Sequence, residues 1–263
     1  MVLLLFVGLS AGSLYATRLS YFQIKRIEFT GIQALNEDDL RSKVADSLSG
    51  TYLGVIPRTF YLIVNGDDIS SMLVSSYPRI KDARVSKTLK GEIKINIRER
   101  ELFGIICRRP NDAPVTTAAP AVSDQGTAQN CYYVDKNGVA YEEAPYSAGS
   151  LITKIETDGD ISSLGAQAID PNTINSMENI EKESENLVGA GIVGYQLFAK
   201  VPHELRALTA GGYKLYLNTD DDFQKVFTIL KTVLNGEVKD KTENLDYVDL
   251  RFGNKVFYKL KTG

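Results

Sequence analysis

Phe22–Leu40 reads FQIKRIEFTGIQALNEDDL, and Tyr77–Arg100 reads YPRIKDARVSKTLKGEIKINIRER. These two stretches decide the fold of the first part of the chain. Ile27 and Phe29 alternate with polar neighbours, which predicts a strand over Ile24–Thr30. Gly31 ends it. Asn36 stands where a helix cap belongs, with Asp39 three residues on, close to a capping box. Leu40, Val44 and Leu48 recur at helical spacing, so that helix has one apolar face. A second short helix is predicted over Asp67–Tyr77, with Ile69, Met72 and Leu73 facing in and Pro78 forbidding continuation. Two strands follow. Ile80–Leu89 holds Ala83, Val85 and Leu89 on alternate positions. Glu92–Arg100 holds Ile93, Ile95 and Ile97 on one face and charges on the other. Lys90-Gly91 makes the tight turn between them. The order is strand, helix, helix, strand, strand.

Working outward, 263 residues with 43% hydrophobic content suffice for a buried core and for two domains. A net charge of -3 argues against a bulk nucleic-acid binder. The chain has no Trp, one His and two Cys, which disfavours many catalytic and zinc arrangements. Met1–Ala16 carries no charge and is rich in Leu, Val, Gly and Ser. Three readings are open for it: a membrane anchor, a cleaved export signal, or a buried core helix. The anchor is the expectation adopted, although a full span needs about 20 apolar residues. Arg18, Lys25 and Arg26 on its C-terminal side would by themselves keep that side inside.

The order of elements, and the residues that set it, resemble the POTRA domain. F-x-I-x-x-I-x-F-x-G at Phe22–Gly31, P-x-I-x-x-A-x-V at Pro78–Val85 and I-x-I-x-E-R at Ile95–Arg100 carry the likeness. Two later motifs, YYVDKNGVAY at Tyr132–Tyr141 and YVDLRFGNKVF at Tyr247–Phe257, follow in the order of the bacterial cell-division family FtsQ/DivIB. The chain resembles that family across nearly its whole length. The fold class expected is α+β. An amino-terminal transmembrane anchor over residues 1–21 precedes a POTRA domain (β-α-α-β-β) over 22–100. A mostly antiparallel β domain with two helices fills 101–263. The resemblance also implies topology, with the amino terminus in the cytoplasm and the bulk outside the cytoplasmic membrane. That runs against the charge bias, and the reading follows the resemblance.

The region Arg79–Arg109 has ten Lys or Arg against four acidic residues. It reads either as a solvated strand face or as a surface for anionic headgroups. Leu102–Cys107 is a short apolar strand. Arg108–Asn130 mixes Pro, Ala, Thr and Ser without periodicity and reads as a disordered insertion. Cys107 and Cys131 bracket it. If their strands pair, the thiols come within disulfide reach, which an extracytoplasmic setting permits; otherwise they are two small buried hydrophobes. Two thiols lack a second ligand pair, so no metal is expected, and no cofactor motif appears.

Asp135-Lys-Asn-Gly138 separates CYYV from VAY, and Asn-Gly tolerates positive φ at both turn positions. Leu151–Glu156 is a further strand candidate. Thr173–Val188 repeats Ile174, Met177, Ile180 and Leu187 on one helical face. Gly191–Asn218 alternates as three consecutive antiparallel strands. Asp220–Asp222 caps a helix whose buried face is Phe223, Val226, Phe227, Leu230, Val233 and Leu234, with Gly236 closing it.

The chain ends in two strands, Tyr247–Phe252 and Lys255–Leu260, joined at Gly253-Asn254. The last reads as an uncovered edge, whose free N–H and C=O groups offer pairing to another chain. The resemblance implies that these strands receive FtsB/DivIC-like coiled-coil proteins, with FtsL-like proteins and septal wall synthases as further partners. It places partner contacts at Arg251 and Phe252. Asn254, Val256, Phe257 and Tyr258 are carried over from the same edge, Val256 and Tyr258 on one face and Phe257 on the other.

No catalytic site is expected. His203, read as lying on a strand, has no nucleophile or ligand set beside it in sequence. Glu142-Glu143 reads as a turn. The function implied is a non-enzymatic, membrane-anchored scaffold of the division machinery. Two alternatives stay open: an exported POTRA-containing transport or assembly factor, and an exported carboxylate-dependent hydrolase.

Overall fold

The computed structural model describes residues 12, 14–15, 17–88, 90–109, 130–145 and 152–261. Residues 1–11, on which the anchor reading rests, and 110–129 of the expected insertion lie outside them. Among the described residues no helix is long and apolar enough to cross a membrane. The chain divides into two compact units, Met1–Arg100 and Glu101–Gly263.

The first unit runs β1 (Arg26–Thr30), α1 (Glu37–Ser47), β2 (Thr51–Tyr52), β3 (Ile56–Pro57), α2 (Gly66–Ser76), β4 (Ile80–Thr88) and β5 (Glu92–Glu99). Its three-stranded sheet has the order β1-β5-β4, with β1 parallel and β4 antiparallel to β5. Central β5 buries Ile93, Ile95 and Ile97 against Leu40 and Val44 of α1 and Ile69 and Leu73 of α2. Each such side chain contributes about 1.5–3 kcal/mol by leaving water. Asn36 caps α1, its Oδ1 accepting from Asp38 N at 2.8 Å. Asn65 caps α2 one residue earlier than expected, accepting from Asp67 N at 3.0 Å. Ile24, expected in the first strand, lies before it and donates its N–H to Thr59 O at 2.8 Å.

The motif residues have structural jobs. Gly31 sits at φ +82°, and a Cβ there would meet Ile97 O at 2.1 Å, so only glycine lets β1 turn away beside β5. Glu99 is buried and accepts from the backbone N–H groups of Gln33, Ala34 and Leu35 at 2.7, 3.0 and 3.2 Å. It also pairs with Arg79 at 2.9 Å. The hairpin β2–β3 was not foreseen: two residues per strand leave no alternation to read.

The second unit runs β6 (Leu102–Arg108), β7 (Cys131–Asp135), β8 (Ala140–Ala144), β9 (Thr153–Thr157), α3 (Pro171–Glu183), β10 (Ile192–Leu197), β11 (Glu204–Thr209), β12 (Lys214–Asn218), α4 (Phe223–Val233), β13 (Leu245–Phe252) and β14 (Lys255–Leu260). One nine-stranded sheet takes the order β14-β13-β12-β11-β10-β9-β6-β7-β8. Among the described residues the sheet is mostly antiparallel with three parallel pairs: β9 runs parallel to both β6 and β10, and β12 runs parallel to β13. The cause lies in the connections. Helix α3 carries the chain from β9 to β10, and α4 from β12 to β13, and a helical crossover returns a strand in the same direction.

Both helices cover one face of the sheet. Ile174, Met177 and Ile180 of α3 and Phe223, Phe227 and Leu230 of α4 pack with Ile106, Ile155, Tyr195, Leu215, Leu217 and Val248. The helical stretch begun by α3 ends at Val188, before Gly189 at φ +68°, as expected, whereas Gly236 does not close α4. α3 stops at Glu183 and widens into a π turn over Ser184–Val188, and α4 does the same over Leu234–Val238. Gly236 therefore lies inside a turn instead of closing a helix. The extra residue in that turn lets Val238 reach the core, where it is buried.

At Asp135–Gly138 only Gly138 has positive φ. Asp135 Oδ1 accepts from the N–H groups of Asn137 and Val139, at 2.9 and 3.0 Å, and so holds the turn. Cys107 and Cys131 face each other across β6 and β7 and are joined as a disulfide.

Candidate docking edge

The strand order puts β14 at one rim of the large sheet and β8 at the other. The two rims differ. Along β8, Ala140 N donates to Ala166 O at 3.1 Å, Gly165 N donates to Ala140 O at 2.7 Å, and Val139 bridges Gln167. That rim is partly covered. β14 is bonded to β13 on one side, and among the described residues no strand lies on the other.

The side chains follow the alternation of the terminal hairpin. Val256 and Leu260 turn inward and pack against the core. Tyr258 shares their side yet stays 38% exposed, while Phe252 and Phe257 are each 54% exposed. Asn254 is exposed at the hairpin turn beside Gly253, whose φ is +66°. Lys255 and Lys259 stand exposed along β14. Lysines on an edge strand disfavour pairing with an identical edge and favour an acidic strand.

Arg251 is placed differently from the exposed residues. Its Nε and Nη2 donate to Asp249 at 2.9 and 2.6 Å, and its Nη1 donates to Glu204. Those bonds hold its guanidinium above the ordinary value against the opposing pull of burial. Glu204 also pairs with Arg206 at 2.8 Å. Arg206 lies 4.4 Å and Arg251 5.4 Å from the Tyr216 ring centroid, and Tyr216 stacks on Tyr247 at 4.8 Å with planes 5° apart. Arg206 also covers Phe198 at 4.2 Å. Register explains the row: Arg206 faces Tyr216, Tyr216 faces Asp249, and Asp249 faces Phe257. Stacked cations and rings thus stiffen the open face right up to the rim. Arg251 is a buttress of this row rather than an outward-pointing group.

Sequence reasoning missed Arg206, Tyr216, Tyr247 and Phe198. Alternation marks Arg206 and Tyr216 as leaving the helix-covered face, but only the parallel β12–β13 register brings them to Asp249.

The polar residues weighed for chemistry are dispersed. His203 lies in a turn at φ +66°, not on a strand, with Nδ1 3.0 Å from Asp220. Glu142 and Glu143 lie on β8, not in a turn, and adjacent strand residues point to opposite faces. Asp222 caps α4, accepting from Lys225 N at 3.4 Å. Among the described residues no group of three or more His, Cys, Asp or Glu could hold a metal ion.

Residues 22–100 match the family model of the POTRA domain, FtsQ-type. That match identifies the first unit and supports placing the chain in the FtsQ/DivIB family, whose members are cell-division proteins. No curated protein matches the chain.

Proposed function

We propose that the chain is a non-enzymatic divisome scaffold, anchored in the cytoplasmic membrane by its apolar amino-terminal stretch, with its bulk outside. It joins FtsB/DivIC- and FtsL-type coiled-coil proteins to septal wall synthases by accepting a partner strand along β14. The observation that carries this reading is the outer rim of β14, which no strand covers among the described residues, set beside the partly covered rim of β8. Each main-chain bond of an added strand contributes about 0.5–1.5 kcal/mol net. Phe252, Phe257 and Tyr258 supply the apolar contacts that select the partner. Anchoring both chains in one membrane raises their effective concentration, so modest contact energy suffices.

The test is recovery of partners on the full chain from cells. Small coiled-coil membrane proteins are expected with the native chain and are lost in F252E or Y258E, while both variants stay folded, F252E losing no more than the edge-to-face contact with Phe257. Undiminished recovery with both variants contradicts the reading.

A further inference from the structure

Among the described residues of the first unit, the exposed large hydrophobic side chains fall in two runs only, Leu14–Phe22 and Tyr52–Ile63. The fold brings those runs together. Tyr61 N donates to Phe22 O and Ile24 N to Thr59 O, both at 2.8 Å. The Phe22 and Phe60 rings are 6.5 Å apart. Tyr52 of the β2–β3 hairpin and Ile63 of the following turn line one groove of about 760 Å³ together with Arg58. At the hairpin tip Leu53 is 81% exposed and held at φ 50°. A branched side chain adopts that left-handed backbone at a cost, and the core gains nothing from it.

Charge sorts to the same end. Arg18, Lys25 and Arg58 are exposed there, and so is Lys90, next to the Gly91 carbonyl that accepts from Lys25 N at 2.7 Å. The segments 17–25, 47–64 and 86–91 contain no acidic residue, and exposed Asp68 is the acidic residue that lines the groove beside Arg58. Such a surface, with Tyr, Phe and Leu interspersed with Arg and Lys, has the composition of a membrane-interface contact. The uncharged Met1–Ala16 stretch runs directly into it.

We infer that this end of the POTRA domain lies on an anionic bilayer surface. Leu53, Tyr52 and Tyr21 enter the headgroup layer, and Arg18, Lys25, Arg58 and Lys90 meet lipid phosphates. The domain is thereby held against the membrane rather than swinging on a tether. This adds to the anchor reading above and can be separated from it by experiment.

The chain has no Trp, so an introduced indole is a lone reporter. Full-length L53W, L4W and L164W are reconstituted in phosphatidylglycerol vesicles with brominated acyl chains. Leu164 is an exposed residue of the second unit and serves as the water control. L53W and L4W are expected to show blue-shifted, quenched emission and L164W unshifted emission. Quenching of L53W is expected to be lost in phosphatidylcholine vesicles and in the R18Q/R58Q/K90Q background. Quenching of L4W with L53W left in water overturns the surface contact and leaves the anchor. Quenching of neither overturns both. Equal quenching of L53W in phosphatidylcholine overturns the role of the cations. Shielding of L53W only when partner proteins are added assigns the surface to a protein and overturns the lipid proposal.

Discussion

Phe252 and Phe257 meet edge to face across the terminal hairpin, their ring centroids 5.4 Å apart and their planes at 89°. Each is more than half exposed, yet each fixes the other, so the rim presents an ordered apolar ledge. An ordered aromatic costs little entropy when a partner covers it. F257A is expected to weaken partner binding by about 2 kcal/mol or more, as a central interface aromatic does. Thermal stability should fall only by the edge-to-face term, about 0.5–1.5 kcal/mol. Titration of the partner alongside a thermal melt separates the two.

Arg251 should behave the opposite way. Removing it leaves Asp249, which is buried, without its two charge-assisted bonds. R251A is expected to destabilise the second unit by about 1–3 kcal/mol. R251K should not restore it, because an ammonium cannot span Asp249 and Glu204 as a planar fork does. Denaturant midpoints of the three proteins decide this.

Glu99 predicts an acid-sensitive first unit. Burial alone would push its carboxyl up, but the N–H groups of Gln33, Ala34 and Leu35 and the Arg79 guanidinium outweigh burial and hold it below the ordinary value. A carboxylate lowered on folding stabilises above its unfolded value, about 4.3, and that stability is lost as pH falls through the folded value. E99Q should cost about 1–3 kcal/mol at neutral pH. It should also flatten the acid limb of stability, read from amide exchange in the first unit as pH falls to and below about 4.3.

The disulfide between Cys107 and Cys131 closes a loop of sequence separation 24. Its reduction, or C107S/C131S, is expected to cost about 2–4 kcal/mol. Melting with and without reductant measures the cost. Equal free-thiol counts before and after reduction would refute the bond itself.

Much of the first unit was legible because its signals are local. β5 alternates Ile93, Ile95 and Ile97, the cap Asn36 sits beside its helix, and Pro78 ends α2. The β2–β3 hairpin was not, because Tyr52 and Ile56 lie in strands too short to show a period. In the second unit the strands and both helices could be read, and so could the last strand as a rim. Strand order could not, because β9 reaches its place between β6 and β10 by parallel pairing across a long separation. For the same reason the bracing role of Arg251, a residue expected to contact a partner, is not legible in the sequence. Its partner Glu204 lies 47 residues earlier, and only the sheet register brings the two together. Wide π turns such as Ser184–Val188 also carry no sequence mark comparable to the glycines after them.

The most direct test of the account is amide hydrogen exchange along Lys255–Leu260 in the full chain, alone and with an FtsB/DivIC-type partner. Strand addition predicts that outward-facing amides of β14 become protected on binding, and that F257A removes the protection. Binding that protects other segments while leaving β14 exchanging at its free rate would contradict it.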